Sequence, residues 1–225
     1  LVGIGLTSNF WVAIILLVVP AVALVGRLEA NRLVLPWERN RAAEEFRSRI
    51  GEPAFAEKIQ QGEREELVAK QPARAAEHYG KAVEAARHPA QAGHARLLLA
   101  RALAKIDRRA EAVAEYGKIL ALDSGVVDEH GVPLGLYAAE RLLEAGAARE
   151  AVLERVRAEL ERPAWQPPAH AYMLRDLAQA LGVRELMDKI EQRLRHLDQA
   201  LALQRDFARL PLRAGQPVWA PYGED

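Results

Sequence analysis

The chain contains no cysteine. That removes disulfide bonds, thiolate nucleophiles and Cys-ligated metals, and leaves the redox compartment open, since a cysteine-free chain survives in any of them. Aromatic residues are scarce at 6%, and runs of alternating Val, Ile and Thr, the material of half-buried strands, are missing. Neither sign of charge dominates: 31 basic residues meet 31 acidic ones, so nothing draws the chain toward nucleic acid.

The catalytic motifs are missing as well. There is no Gly-rich phosphate loop, no Gly-x-Ser-x-Gly elbow and no zinc signature. The six histidines, at 78, 88, 94, 130, 170 and 196, include no pair at helical i, i+4 spacing. Asp128, Glu129 and His130 adjoin one another in "VVDEHGVP", which reads as a solvated turn, and "EREE" at 63 to 66 reads as a wet helix face. No catalytic, cofactor-binding or metal-ligating residue is assigned, and these residues are not expected to form an enzyme.

What is abundant is Ala, Leu, Arg and Glu, the strong helix formers, so the fold class expected is all-α. From Leu1 to Gly26 no residue is charged, and "FWVAIILLVVPAVALVG" from Phe10 is almost wholly apolar. Seventeen residues rising about 1.5 Å each give roughly 26 Å, and "LVGIGL" before them brings the length to that of a hydrocarbon core. The stretch therefore reads as a transmembrane helix over residues 1–26, with Trp11 suited to an interface. A signal peptide cleaved after "AVA" at 21 to 23 is the rival, but it lacks a basic n-region. Arg27, Arg32, Arg39 and Arg41 follow the segment and argue for a cytoplasmic domain. Long domains, however, translocate regardless of flanking charge.

Residues 27–53 read as a juxtamembrane helix and linker, with "RAAEEFRSRIGEP" ending near Gly51 and Pro53. From 54 to 210 the chain reads as consecutive helical hairpins, and Pro211, Pro217 and Pro221 keep the tail 211–225 out of regular helix. The clearest hairpin is "AGHARLLLARALAKIDRRAEAVAEYGKILALDS", with a turn at Ile106 to Arg109. "AAEHYGK" at 75 to 81 returns as "AVAEYGK" at 112 to 118, which implies that one helix type recurs in a stack. In that reading Tyr is a packing wedge and the following Gly admits a neighbouring helix.

Leu99, Ala100 and Leu103 in one helix, with Ala112, Tyr116 and Ile119 in the next, resemble the tetratricopeptide repeat. Ser124 stands where that family usually has Pro. Ala75, Tyr79 and Ala82 repeat the second-helix pattern one unit earlier. Ala139, Leu142, Ala151 and Pro163 extend it one unit later, with Arg155 in place of the aromatic, and Ala178 and Leu181 carry it to a fourth pair. The resemblance implies a right-handed solenoid of hairpins, with repeat packing carried by Ala75, Tyr79, Leu99, Ala100, Leu103, Ala112, Tyr116, Ala139 and Ala151. It further implies a concave face that meets a protein or peptide through His94, Leu97, Arg101, Glu140 and Arg175.

The order of parts is similar to the N-terminal regions of certain bacterial membrane sensor histidine kinases, on "GEREELVAKQPARAAEHYGKAV", "HGVPLGLYAAERLLEAG" and the tail "PVWAPYGED". That likeness implies a sensory input module at the bacterial inner membrane, its helical domain extracytoplasmic and the kinase itself outside these residues. A membrane-tethered assembly scaffold on either side of the membrane, and the noncatalytic part of a membrane enzyme, are the other classes compatible with the residues. Partners expected are a protein or peptide, the membrane through the first helix, and a homodimer as a compatible arrangement. No cofactor and no nucleic acid are expected.

Overall fold

The computed structural model describes residues 2–5, 14–17, 24–25, 27–29, 32–162 and 166–207. The chain divides into two compact units, Asn40–Glu191 and the terminal segments Leu1–Arg39 with Gln192–Asp225.

The larger unit is helical. Its elements are α1 (Arg41–Ile50), α2 (Pro53–Glu63), α3 (Pro72–Ala85), α4 (Pro89–Lys105), α5 (Arg109–Leu120), α6 (Leu134–Glu144), α7 (Arg149–Glu161), α8 (Pro168–Leu181) and the start of α9 (Arg184–Asp206). Four of these helices begin on proline, where the missing N–H is one the helix would leave unpaired anyway. Asn40 caps α1 by accepting from the amides of Ala42 and Ala43 at 3.0 and 3.2 Å. At the other end of α8, Gly182 turns left-handed (φ +65°), and the chain reverses into α9. Consecutive helices pack as α2 on α3, α4 on α5 and α6 on α7, while the first helices of successive pairs also touch, α4 on α6 and α6 on α8.

The hairpins share one internal grammar with irregular spacing. In the second pair Ala100, Ala112 and Tyr116 are all buried, with 12 residues between the two alanines' positions and 4 to the tyrosine. In the first pair the matching trio is Gly62, Ala75 and Tyr79, with 13 residues from Gly62 to Ala75. The extra residue is absorbed by a π-turn, Arg64–Val68, closed by the Ala69 amide on the Arg64 carbonyl at 2.9 Å. In the third pair the loop between the helices is one residue longer, and both Gly146 and Ala148 take left-handed backbone (φ +67° and +52°). That shift exposes Ala151 and buries Val152 and Val156 instead, so Ala151 does not pack as the pattern implied.

The glycine of Tyr-Gly-Lys also departs from expectation. A Cβ on Gly80 or Gly117 would meet nothing within 4 Å, so neither admits a neighbouring helix. The close approach is at Gly62, where a Cβ would lie 2.4 Å from Cε1 of Tyr79. Only glycine lets that ring come so close to α2.

The terminal unit carries the main correction. Val2–Gly5 (β1) pairs antiparallel with Ile14–Leu17 (β2), which pairs with Leu24–Val25 (β3). No helix among the described residues is long and apolar enough to cross a membrane, and the described parts of the stretch expected as a transmembrane helix over 1–26 are these strands, while the chain as a whole is mostly helical, as the expected all-α class requires. The physical reason lies in composition: Val2, Ile4, Ile14, Ile15 and Val25 are β-branched, glycines alternate with them at 3 and 5, and hydropathy alone does not separate strand from helix. Trp11 and Pro20 lie outside the described residues, as do Pro163 and the tail 211–225.

Arg27–Glu29 (β4) and Arg32–Val34 (β5) form a second antiparallel pair where a helix and linker were expected to begin. Leu33 and Leu35 are buried, as are Leu197, Ala200 and Leu203 along one stripe of α9 and Phe207 just past its end. Gln204 ties the two segments of this unit, donating to the Leu33 carbonyl at 2.8 Å and to Glu38 Oε2 at 2.6 Å.

Candidate functional site

The helix periodicity of α4 puts His94, Leu97, Arg101 and Lys105 on one stripe, and that of α6 does the same for Tyr137, Glu140, Arg141 and Glu144. Between the two stripes lies a groove of about 1180 Å³, floored by Leu97, Leu98, Val113 and Tyr116. The small residues Ala104, Ala110 and Ala112 keep it open. Four of the five residues expected on a concave face, His94, Leu97, Arg101 and Glu140, line this one groove. The fifth, Arg175, lies on α8 away from its lining, over the Tyr172 ring at 5.3 Å and bonded to Asp176 at 2.9 Å.

One wall is organised by a residue the sequence reading missed. Glu66, on the π-turn, has a side chain only 1% exposed. Its carboxylate accepts from Arg101 Nε at 3.0 Å and Nη2 at 2.6 Å, from Lys105 Nζ at 2.7 Å and from Tyr79 Oη at 2.8 Å. Burial pushes the Glu66 carboxyl up, but the bonds from Arg101, Lys105 and Tyr79 outweigh it and bring the group down to about 2. Burial and the same carboxylate push the Tyr79 phenol up, so it stays a donor. One buried anion thus holds two half-exposed cations in a fixed array at the groove. The reading of "EREE" as a wet face fails at Glu66 because the π-turn rotates it inward. The available signal was the i, i+4 pair Arg101 and Lys105 on the stripe of Leu97.

His94 sits deeper, edge-on to Phe46 of α1 with ring centroids 5.6 Å apart. Burial pushes its imidazole down, which favours the neutral form at the groove floor.

Of the packing residues, Ala75, Tyr79, Ala100, Leu103, Ala112, Tyr116 and Ala139 are buried, Leu99 is half-buried and Ala151 is exposed. Tyr79 and Tyr116 differ in use: Tyr79 is sealed and bonded to Glu66, whereas Tyr116 forms part of the groove floor.

Two further polar clusters are structural fasteners. Glu159 is fully buried and meets Arg155 Nη2, Arg162 Nη1 and His170 Nε2, each at 3.0 Å, together with the Ser124 hydroxyl. Burial pushes its carboxyl up, and the bonds from His170 and Ser124 with the two arginines bring it down to about 2. Arg155, read as replacing an aromatic, instead reaches the carbonyls of Leu120 and Leu122 over Gly135, where a Cβ would lie 2.9 Å from its guanidinium.

The other cluster reshapes the "VVDEHGVP" loop. Asp128 is buried and accepts from the amides of His130 and Val132 at 2.9 and 2.8 Å and from the Tyr137 hydroxyl at 2.6 Å. The segment is an ordered turn, closed by Gly131 at φ +81° against Asn40, rather than a solvated one. Among the described residues no group of three or more His, Asp or Glu side chains converges to hold a metal ion. Comparison with protein-family models, with curated proteins and with solved structures finds no match.

Proposed function

We propose that residues 40–191 are a helical-hairpin interaction module, tetratricopeptide-like in its packing grammar, that holds a segment of a partner protein in the groove between α4, α5 and α6. The observation that carries this reading is the groove itself. Its volume of about 1180 Å³ exceeds the roughly 300–1,000 Å³ of ordinary small-molecule pockets. It is apolar on its floor and charged on both walls, as a peptide-binding surface requires. The finer role, the sensory input region of a bacterial histidine kinase with this module on the extracytoplasmic side, rests on the residue pattern alone and is proposed without an N-terminal membrane helix.

A phage-displayed random peptide library panned on the purified chain tests the module. Enriched peptides should bind the wild-type protein and lose at least about tenfold in affinity for Leu97→Glu, which puts a charge on the apolar floor. Leu97 is half-buried, so far-UV circular dichroism of the variant should be unchanged. Enrichment no better than background, or equal binding to the variant, overturns the proposal.

A further inference from the structure

Tyr79 and Tyr116 hold the same place in successive hairpins, four residues after the buried Ala75 and Ala112, yet their hydroxyls end differently. The Tyr79 hydroxyl donates to Glu66 Oε2 at 2.8 Å, and the same carboxylate takes Arg101 and Lys105 from the first helix of the next pair. The Tyr116 hydroxyl has no hydrogen-bond partner among the described residues, although only 7% of the residue is exposed and it forms part of the groove floor. A phenol so placed still has its proton to give.

The repeat itself supplies the reason. Glu66 stands four residues after Gly62, and the residue four after Ala100, which takes the place of Gly62 on α4, is Ala104. Ala104 is exposed and lines the same groove as Tyr116. Where the first pair carries a carboxylate for its tyrosine, the second carries only a methyl group.

Net charge does not choose a guest for that space. The groove and the groups paired with it hold Arg101, Lys105, Arg109 and Arg141 against Glu66, Asp107, Glu140 and Glu144, an even count. Hydrogen-bonding capacity does choose one. Burial pushes the Tyr116 phenol up, while Arg141 and Arg101 pull it down and Glu144 pushes it up, so two cations and one anion act on the hydroxyl. That anion is already engaged. Glu144 accepts from Arg141 at 2.7 Å, and Glu140 accepts from the same guanidinium at 3.2 Å. Glu140 and Glu144 stand on α6 where Arg101 and Lys105 stand on α4, and would suit a cation had Arg141 not spanned both. What the hydroxyl and the flanking arginines lack is an acceptor.

We infer that this space is a carboxylate subsite: the partner segment lays an Asp or Glu side chain over Ala104, where Tyr116 Oη donates to it and Arg141 and Arg101 flank it, as Glu66 is held in the first pair. This rests on the reading of the groove as a peptide-binding surface. Tyr116 then selects the guest through its hydroxyl and packs through its ring. A charge-assisted bond from that hydroxyl favours a carboxylate over the amide of the same shape.

Peptides enriched from a random phage-displayed library by the purified chain should share one acidic position. Fluorescence anisotropy with labelled copies should show Glu at that position binding at least about tenfold tighter than Gln, and Lys weaker still. Tyr116→Phe should reduce the Glu advantage to about threefold or less. Its melting temperature should match the wild type, because the hydroxyl it removes bonds nothing in the fold, whereas Tyr79→Phe breaks the bond to Glu66 and should lower it. Ala104→Glu should supply the carboxylate from within the chain and weaken the Glu peptide more than Ala104→Gln, which adds similar bulk without the charge.

Enriched peptides without a common acidic position, or a Glu advantage that survives Tyr116→Phe, overturn the inference and leave the groove standing. Tightest binding by the Lys copy gives the space to a cation over Glu140 and Glu144 and overturns it too, as does equal weakening by the two Ala104 variants. If no peptide is enriched, the groove reading falls and the inference with it.

Discussion

Replacing Glu66 with Gln keeps its volume and removes its charge, and so isolates what the buried anion contributes. The ordinary carboxyl value of 4.5 falls to about 2 in the folded chain, which corresponds to about 3 kcal/mol of stability at neutral pH. Because the folded value is depressed, that contribution is complete above pH 4.5 and is lost as pH falls from 4.5 toward 2. Urea midpoints followed by far-UV circular dichroism across that window should therefore fall more steeply for the wild type than for Glu66→Gln. At neutral pH the variant should be less stable by about 2–3 kcal/mol, an upper range because Arg101 and Lys105 can turn to solvent when the carboxylate is gone. Glu159 titrates in the same window, also down to about 2, so the decisive quantity is the wild-type slope minus the variant slope. Parallel slopes for the two proteins would falsify the assignment of Glu66 as a buried, ionised anchor.

Glycine substitutions should act with opposite signs at two sites. Gly62→Ala forces a Cβ to 2.4 Å from the sealed Tyr79 ring and should cost about 1–3 kcal/mol, whereas Gly80→Ala meets nothing and should gain about 0.5–1 kcal/mol from helix propensity. Thermal melts of the pair check both, and a stabilised Gly62→Ala would refute the close approach. Ala112→Leu, at a buried site, should likewise lower stability by about 1–3 kcal/mol, and an unchanged melting temperature would count against tight packing of α4 on α5.

The helical pairing was legible because it is local. The α4 and α5 boundaries follow from periodicity and, to within a residue, from the turn read at Ile106 to Arg109, since α5 begins on Arg109 itself, and the recurrence of Ala-x-x-x-Tyr marks the second helix of two pairs. His94, Leu97, Arg101 and Glu140 could be brought to one surface on a repeat pattern because helix spacing sets which side chains share a stripe. Three features were hidden. The one-residue π-turn shifts the phase of the chain after Glu63 and turns Glu66 inward, which no hydrophobic count reports. The extra loop residue before α7 does the same to Ala151 and Val152. The N-terminal stretch satisfied a hydropathy criterion, and hydropathy alone does not separate a helix from apolar strands such as Ile14–Leu17, which is paired on both sides.

These phase shifts explain why buried carboxylates fall where they do. Hairpins built on Ala, Leu and Tyr present similar apolar faces to one another, so apolar burial alone distinguishes weakly between one stacking register and a neighbouring one. Glu66 comes from the first hairpin and binds two cations on the first helix of the second. Glu159 comes from the second helix of the third and binds Ser124 before that hairpin and His170 on α8 after it. A slip of the first joint by one turn would take Arg101 and Lys105 from Glu66, and a slip at the third would take Ser124 and His170 from Glu159, each a larger loss than that of a slipped apolar contact. The chain's irregular spacings and its two buried glutamates are therefore one device. The π-turn aims Glu66 at the joint, and the joint it fixes sets Arg101 and Lys105 at the groove.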